Sequence, residues 1–194
     1  MYISFDKEWG ITMAIIDADV CNGKEYTVYF DNEAICDLVQ VGDAIKVAGN
    51  RKYLKLLARQ MVYFSSNDHC LPFGSHAHYD PYDHAGFRGL ELILEVIRAP
   101  RPEIILDGAE GLQVNIPVPQ DRDMLYENWE QGSKVSVAQT NVGAVYLLGN
   151  AKGLRFVATV LLCLAENGKP GDSFICNQQL LAGWEGKAIQ FELM

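Results

Sequence analysis

The feature that most constrains this chain is its similarity to itself. Residues 44–67 set against 144–167, an offset of 100, give seven identical pairs in 24 positions without a gap: Ala44/Ala144, Gly49/Gly149, Asn50/Asn150, Lys52/Lys152, Leu54/Leu154, Ala58/Ala158 and Asn67/Asn167. Conservative apolar pairs lie between them, such as Ile45/Val145, Val47/Leu147 and Leu57/Val157. Upstream, Ile3, Asp6, Gly10 and Ile15 meet Ile104, Asp107, Gly111 and Ile116 at offset 101; downstream, Phe87, Gly89 and Glu95 meet Trp184, Gly186 and Glu192 at offset 97. Three blocks in one order, with the drift that loop insertions produce, mark an internal repeat. The expected fold class is α+β: two tandem, pseudo-symmetric repeats, residues 1–98 and 99–194, each a mainly antiparallel sheet with one amphipathic helix.

Each repeat reads alike. Short strands near 2–6 and 10–16, and near 103–107 and 111–116, open the copies. A strand follows (Ile45, Val47; Val145, Leu147), and Gly-Asn starts a helix with Asn50 or Asn150 as N-cap. Positions 54, 57, 58, 61 and 64, with their partners 100 residues on, have the i, i+3, i+4, i+7 spacing of one buried stripe. Asn67 and Asn167-Gly168 suit a left-handed C-cap. A loop and a final strand (Leu90 to Ile97; Ala188 to Leu193) end each copy. Residues 25–31 read as a strand, whereas the matching acidic stretch 121–131 reads as a short helix. The junction is Arg98-Ala-Pro-Arg-Pro102, where proline restricts its neighbours. The copies are expected to pack through their sheets about a pseudo-twofold axis, since a unit of half this length buries less of its surface alone.

Charge limits the partners. The net charge is −9, with nine acids against two bases in residues 1–43 and seven against one in 103–130. Nucleic acid and anionic membrane both need positive charge on the protein, so neither is expected as a partner. A basic protein would be steered in by such a field. The N-terminal sequence lacks a basic start and an apolar stretch, and the five cysteines form no CxxC pair. Both point to a cytoplasmic chain with reduced, mostly buried thiols.

All four histidines, His69, His76, His78 and His84, fall within 16 residues, among Asp68, Cys70, Asp80 and Asp83. On an extended strand His76, His78 and Asp80 would share one face, a plausible spacing for a metal-dependent enzyme. That is the alternative reading. The string resembles the HxHxDH signature of metallo-β-lactamase-like hydrolases but has Pro81 where a histidine is needed, and the second copy carries Ser173-Phe174-Ile175-Cys176 instead. No Walker A, GxGxxG or GxSxG pattern occurs. The expectation is a non-enzyme with no cofactor and no metal. The basic run Arg51, Lys52, Lys55 and Arg59 reads as a solvated helix face balancing nearby acids.

Gly149-Asn-x-x-Gly153-Leu-Arg, then Val160-Leu-Leu-x-Leu-Ala-Glu-Asn-Gly, then Pro170-Gly-Asp172 resemble the bacterial polymorphic-toxin immunity proteins of the immunity protein 32 family. The first copy matches through Gly49-Asn, Leu56-Leu-Ala-Arg, His76-x-His78-Tyr-Asp80 and Leu90-Glu-Leu-Ile-Leu-Glu, and departs at Tyr53, where the family's helix tends to carry Gly. The resemblance implies a protein that binds a cognate toxin and occludes its active site. Aromatic anchors ringed by acids are the chemistry expected against a basic toxin. Two surfaces offer it. One is the loop Asp68–Phe87, with Phe73, His76, His78, Tyr79, Asp80, Tyr82 and Asp83; the other is the segment 121–130, with Asp121, Asp123, Tyr126, Glu127 and Glu130, and with Trp129 divided between surface and core.

Overall fold

The computed structural model describes residues 3–6, 11–18, 33–66, 76–81, 85–97, 112–119 and 123–194. The expected strands at 25–31 and 103–107, the C-cap at Asn67 and the junction at 98–102 lie outside those residues. Among the described residues, β1 (Ile3–Asp6) and β2 (Ile11–Ala18) pair antiparallel, and β2 continues to β8 (Leu112–Pro119). Pro117 and Pro119 fit β8 because it is an edge strand of this small sheet.

The rest of the chain builds two sheet–helix units with one order of elements. The first runs β3 (Cys36–Val41), β4 (Ala44–Gly49), α1 (Arg51–Ser66), β5 (His76–Tyr79), β6 (Phe87–Gly89) and β7 (Leu92–Val96). A 3-10 helix, Asp123–Asn128, precedes the second, which runs β9 (Val135–Gln139), β10 (Val145–Gly149), α2 (Ala151–Asn167), β11 (Ser173–Cys176), β12 (Trp184–Gly186) and β13 (Ala188–Leu193). The α+β class holds, and residues 121–131 do contain a short helix.

The two units exchange strands. One five-stranded sheet has the order β12-β9-β10-β7-β5, the other β11-β13-β4-β3-β6. Thus β7 of the first unit lies parallel to β10, and β13 of the second lies parallel to β4. The hydrogen bonds that follow each exchanged strand correspond too: Ile97 N donates to Gly149 O (2.8 Å) and Met194 N to Gly49 O (3.0 Å). Both sheets are mixed, each alternating antiparallel and parallel pairs. The stretch expected as a loop before each final strand therefore holds two more strands, β5 and β6 or β11 and β12.

The helices form the centre. Leu54, Leu57, Ala58, Met61 and Phe64 are buried on α1, as are Leu154, Val157, Ala158, Leu161 and Leu164 on α2. α1 and α2 pack on each other more extensively than any other pair of non-bonded elements, while β2 and β8 lie against them. The units therefore meet through shared sheets, by way of the exchanged strands β7 and β13, and through their helices as well. Apolar stripes on both helices explain this, because each helix is buried around most of its circumference and needs another helix as well as a sheet.

Asn50 and Asn150 perform the same task. The Asn150 side chain accepts from Gly153 N (2.9 Å) and Lys134 N (3.0 Å) and donates to Gly132 O (2.8 Å). Asn50 accepts from Tyr53 N (3.0 Å) and Ile35 N (3.2 Å) and donates to Glu33 O (2.7 Å). At the other end of α2, Gly168 is extended (φ −73°, ψ 159°), not left-handed. Its N–H still closes on Leu164 O, and a Cβ there would sit 2.4 Å from that oxygen, so close approach rather than backbone handedness selects glycine. The last α2 carbonyls are satisfied from outside: the Arg51 guanidinium donates to Ala165 O and, at 2.7 Å, to Gly168 O. Lys55 pairs with Glu166 (2.8 Å) and Lys52 with Glu33. Part of the basic run is thus a clamp between the helices.

Candidate functional site

The histidine stretch is a strand at the edge of its sheet. β5 pairs antiparallel with β7, with His76 opposite Glu95, His78 opposite Ile93 and Tyr79 opposite Leu92. Alternation then separates the residues by face. His76 and His78 point outward and are exposed, with ring centroids 4.8 Å apart, and His78 Nδ1 is 2.5 Å from Glu91 Oε1.

Tyr79 points the other way. It is 1% exposed, with its ring 5.9 Å from Phe87 and 6.4 Å from Tyr53. This residue belongs to the core, not to the contact surface expected of it. Tyr53, the residue that stands where Gly153 stands in the second unit, fills this aromatic cluster beside Cys36. Burial pushes the Cys36 thiol up to about 12, and raises the Tyr53 hydroxyl and the Cys176 thiol as well. Cys36, Cys163 and Cys176 are buried.

Asp80 and Pro81, just after β5, line an open cleft of about 410 Å³ with Leu90, Glu91 and the β9–β10 turn at Val142–Ala144. Val142 is 91% exposed at its lip. Among the described residues no three His, Cys, Asp or Glu side chains converge as a metal-binding group. Phe73, Tyr82, Asp83, His69 and His84 lie outside the described residues.

The second expected surface lies near the opposite sheet edge. The 3-10 helix is fastened by its aromatic residues: Leu125 is fully buried, Tyr126 packs 4.7 Å from Phe174, and Trp129 meets Phe156 edge-on at 4.9 Å. Trp129 Nε1 donates to Ala182 O (2.7 Å). Glu127 and Glu130 remain exposed, with Glu130 3.3 Å from Lys152. Asp121 and the side chain of Asp123 lie outside the described residues. The fold therefore does not join His76, His78 and Asp80 with Glu127 and Glu130; β7, β10, β9 and β12 lie between them.

Those intervening strands carry residues that the sequence reading passed over. Ile93 and Glu95 on β7, Tyr146 and Leu148 on β10, and Glu185 on β12 occupy the face that looks away from the helices. The Val-Tyr-Leu-Leu run of β10 hides this, because apolar residues stand on both of its faces.

Residues 44–96 match the family model described as Immunity protein 32. The matched stretch covers β4, α1, β5, β6 and β7, and so includes the histidine strand and the exchanged strand. No curated protein and no solved structure matches the chain. Among the described residues no helix is long and apolar enough to cross a membrane.

Proposed function

We propose that this chain is an immunity protein that binds a cognate bacterial toxin in the cytoplasm and neutralises it by covering its active site. The observation that carries this reading is the family match over residues 44–96. The second unit repeats the same order of elements, which supports two tandem copies, one ending and the next beginning near Arg98–Pro102. The net charge of −9 favours a basic toxin, a nuclease being one class that fits. Inhibition of this kind needs a rigid complementary surface and no catalytic group. The candidate contacts are His76, His78 and Asp80 at one sheet edge and Glu127 and Glu130 at the other, with the residues that flank them.

Co-expression with the large open reading frame next to this gene tests the proposal. The expected result is rescue of growth together with one-to-one co-purification. Toxicity undiminished by this chain, with no complex formed, refutes it.

A further inference from the structure

The two five-stranded sheets share a backbone plan, so each outward position on one has a counterpart on the other. The counterparts differ in chemistry. On the sheet ordered β11-β13-β4-β3-β6, the outer face carries two ion pairs beside the exposed Val39 and Ile175. Lys46 pairs with Glu192 at 2.8 Å, and Arg88 grips both carboxylate oxygens of Asp37 at 2.5 and 3.0 Å. That is an ordinary way to finish a sheet face that meets water.

The corresponding positions on the twin sheet hold residues that cannot form those two pairs. Tyr146 stands where Lys46 stands, Glu185 where Arg88 stands, and Ser136 where Asp37 stands. Ile93 replaces Gln190, and Leu148 replaces Ala48. Of the described residues facing outward from β12, β9, β10, β7 and β5, none is Lys or Arg. What remains is a centre of half-buried Tyr146 and Leu148 over Ile93, which is itself buried, with Glu95 and Glu185 as its carboxylates and His76 and His78, packed edge to face, along one side. The shared backbone does not require this difference.

We infer that this outer face is the toxin-contacting surface, and that the partner meets it with a basic patch around an apolar centre. The inference rests on the immunity reading above and deepens it by selecting one face. It also connects the two surfaces seen in the sequence. Five strands span about 19 Å from β5 to β12. The cleft beside Asp80 and Glu91 lies at the strand ends, where β5 stops and β7 and β10 begin. The 3-10 helix with Glu127 and Glu130 lies at the β12 edge, fastened by Trp129 near Trp184, and reaches β11 of the twin sheet through Tyr126. The strands alone offer roughly 300 Å², and a stable complex needs about 800 Å² per partner, so both flanks belong to the contact.

Pseudo-symmetry supplies a matched control. Ala138 and Val39 are exposed, outward-facing counterparts on β9 and β3. The probe is the purified, catalytically inactivated toxin domain from the co-expression partner, titrated against the full chain by calorimetry. Ala138→Lys and Tyr146→Ala are expected to weaken binding at least about tenfold, with Val39→Lys within about twofold of wild type. Glu185→Lys, at an exposed position, is the further variant should Tyr146→Ala lower the thermal midpoint. Wild-type affinity for Ala138→Lys and Glu185→Lys, or a loss confined to Val39→Lys, overturns the choice of face while leaving the immunity reading intact. A toxin domain that does not bind the wild-type chain overturns both.

Discussion

Removing the Asn150 side chain tests the frame on which both units are hung. Three hydrogen bonds end on it, at 2.9, 3.0 and 2.8 Å, and they join the first turn of α2 to the segment that enters β9. Each contributes about 1 kcal/mol net, and an N-cap replaced by alanine costs typically about 1 kcal/mol by itself. Gly132 and Lys134 are exposed, so water recovers part of two of these bonds in the variant; Gly153 is buried, and its N–H is left without a partner. Asn150→Ala should therefore destabilise the chain by about 2 kcal/mol. Asn150→Asp keeps the acceptor and loses the donor, so it should cost about 1 kcal/mol, offset in part by the helix dipole. Asn50→Ala removes the same three contacts at α1 and should match Asn150→Ala. The two sites share no partner, so the double variant should be additive within about 0.5 kcal/mol. Urea unfolding followed by circular dichroism, with unchanged m-values, measures all four. A loss below about 0.5 kcal/mol for either alanine variant would refute the reasoning.

Three further outcomes are expected. Residues 1–98 and 99–194 expressed separately should each lack a cooperative unfolding transition and regain one when mixed, because β7 and β13 find their parallel partners in the opposite half; an independent cooperative transition in either fragment would contradict this. Gly186→Ala and Gly89→Ala should each cost about 2 kcal/mol or more by chemical denaturation, since both glycines have positive φ and an added Cβ would lie 2.2 Å from Val137 O or 2.1 Å from Leu38 O. In a Cys21→Ser, Cys70→Ser background the remaining thiols should resist an aromatic disulfide reagent at pH 8 until denaturant is added. In that background stability should also decline as pH rises past about 9, because the unfolded thiols ionise there while Cys36 holds its proton to about 12.

The helices were legible because their stripe repeats at one period and every stripe position is buried. The caps were legible because Gly-Asn recurs 100 residues apart in front of that stripe. The destination of the final strands was not. Leu92, Leu94 and Val96 alternate as one buried face should, and alternation specifies a covered face without saying which neighbour covers it. The histidine stretch read as a loop because an edge strand can carry polar residues on its outer face. Its alternation nevertheless contained the answer: with His76 and His78 outward, Tyr79 must turn inward. Trp129 and Tyr126 drew attention as large aromatics in an acidic segment, and what fastens them, Phe156 and Phe174, lies far along the chain.

Strand exchange also bears on what the family match means. The matched residues 44–96 contain β4, which lies between β3 and β13, and β7, which lies between β10 and β5. A segment so placed does not form a closed core by itself, because two of its strands complete sheets with residues beyond 96. Residues 44–96 thus contribute two of the strands on the proposed toxin-contacting face, β5 and β7, while β10, β9 and β12 come from the second unit. Tyr146, at the centre of that face, is outside the matched stretch altogether. On the proposed reading, specificity for one toxin changes through the second unit while the first keeps the matched residues. Outward positions of the two sheets already differ in this way, ion pairs on one and Tyr146 on the other, while both sheets pack on the same pair of helices.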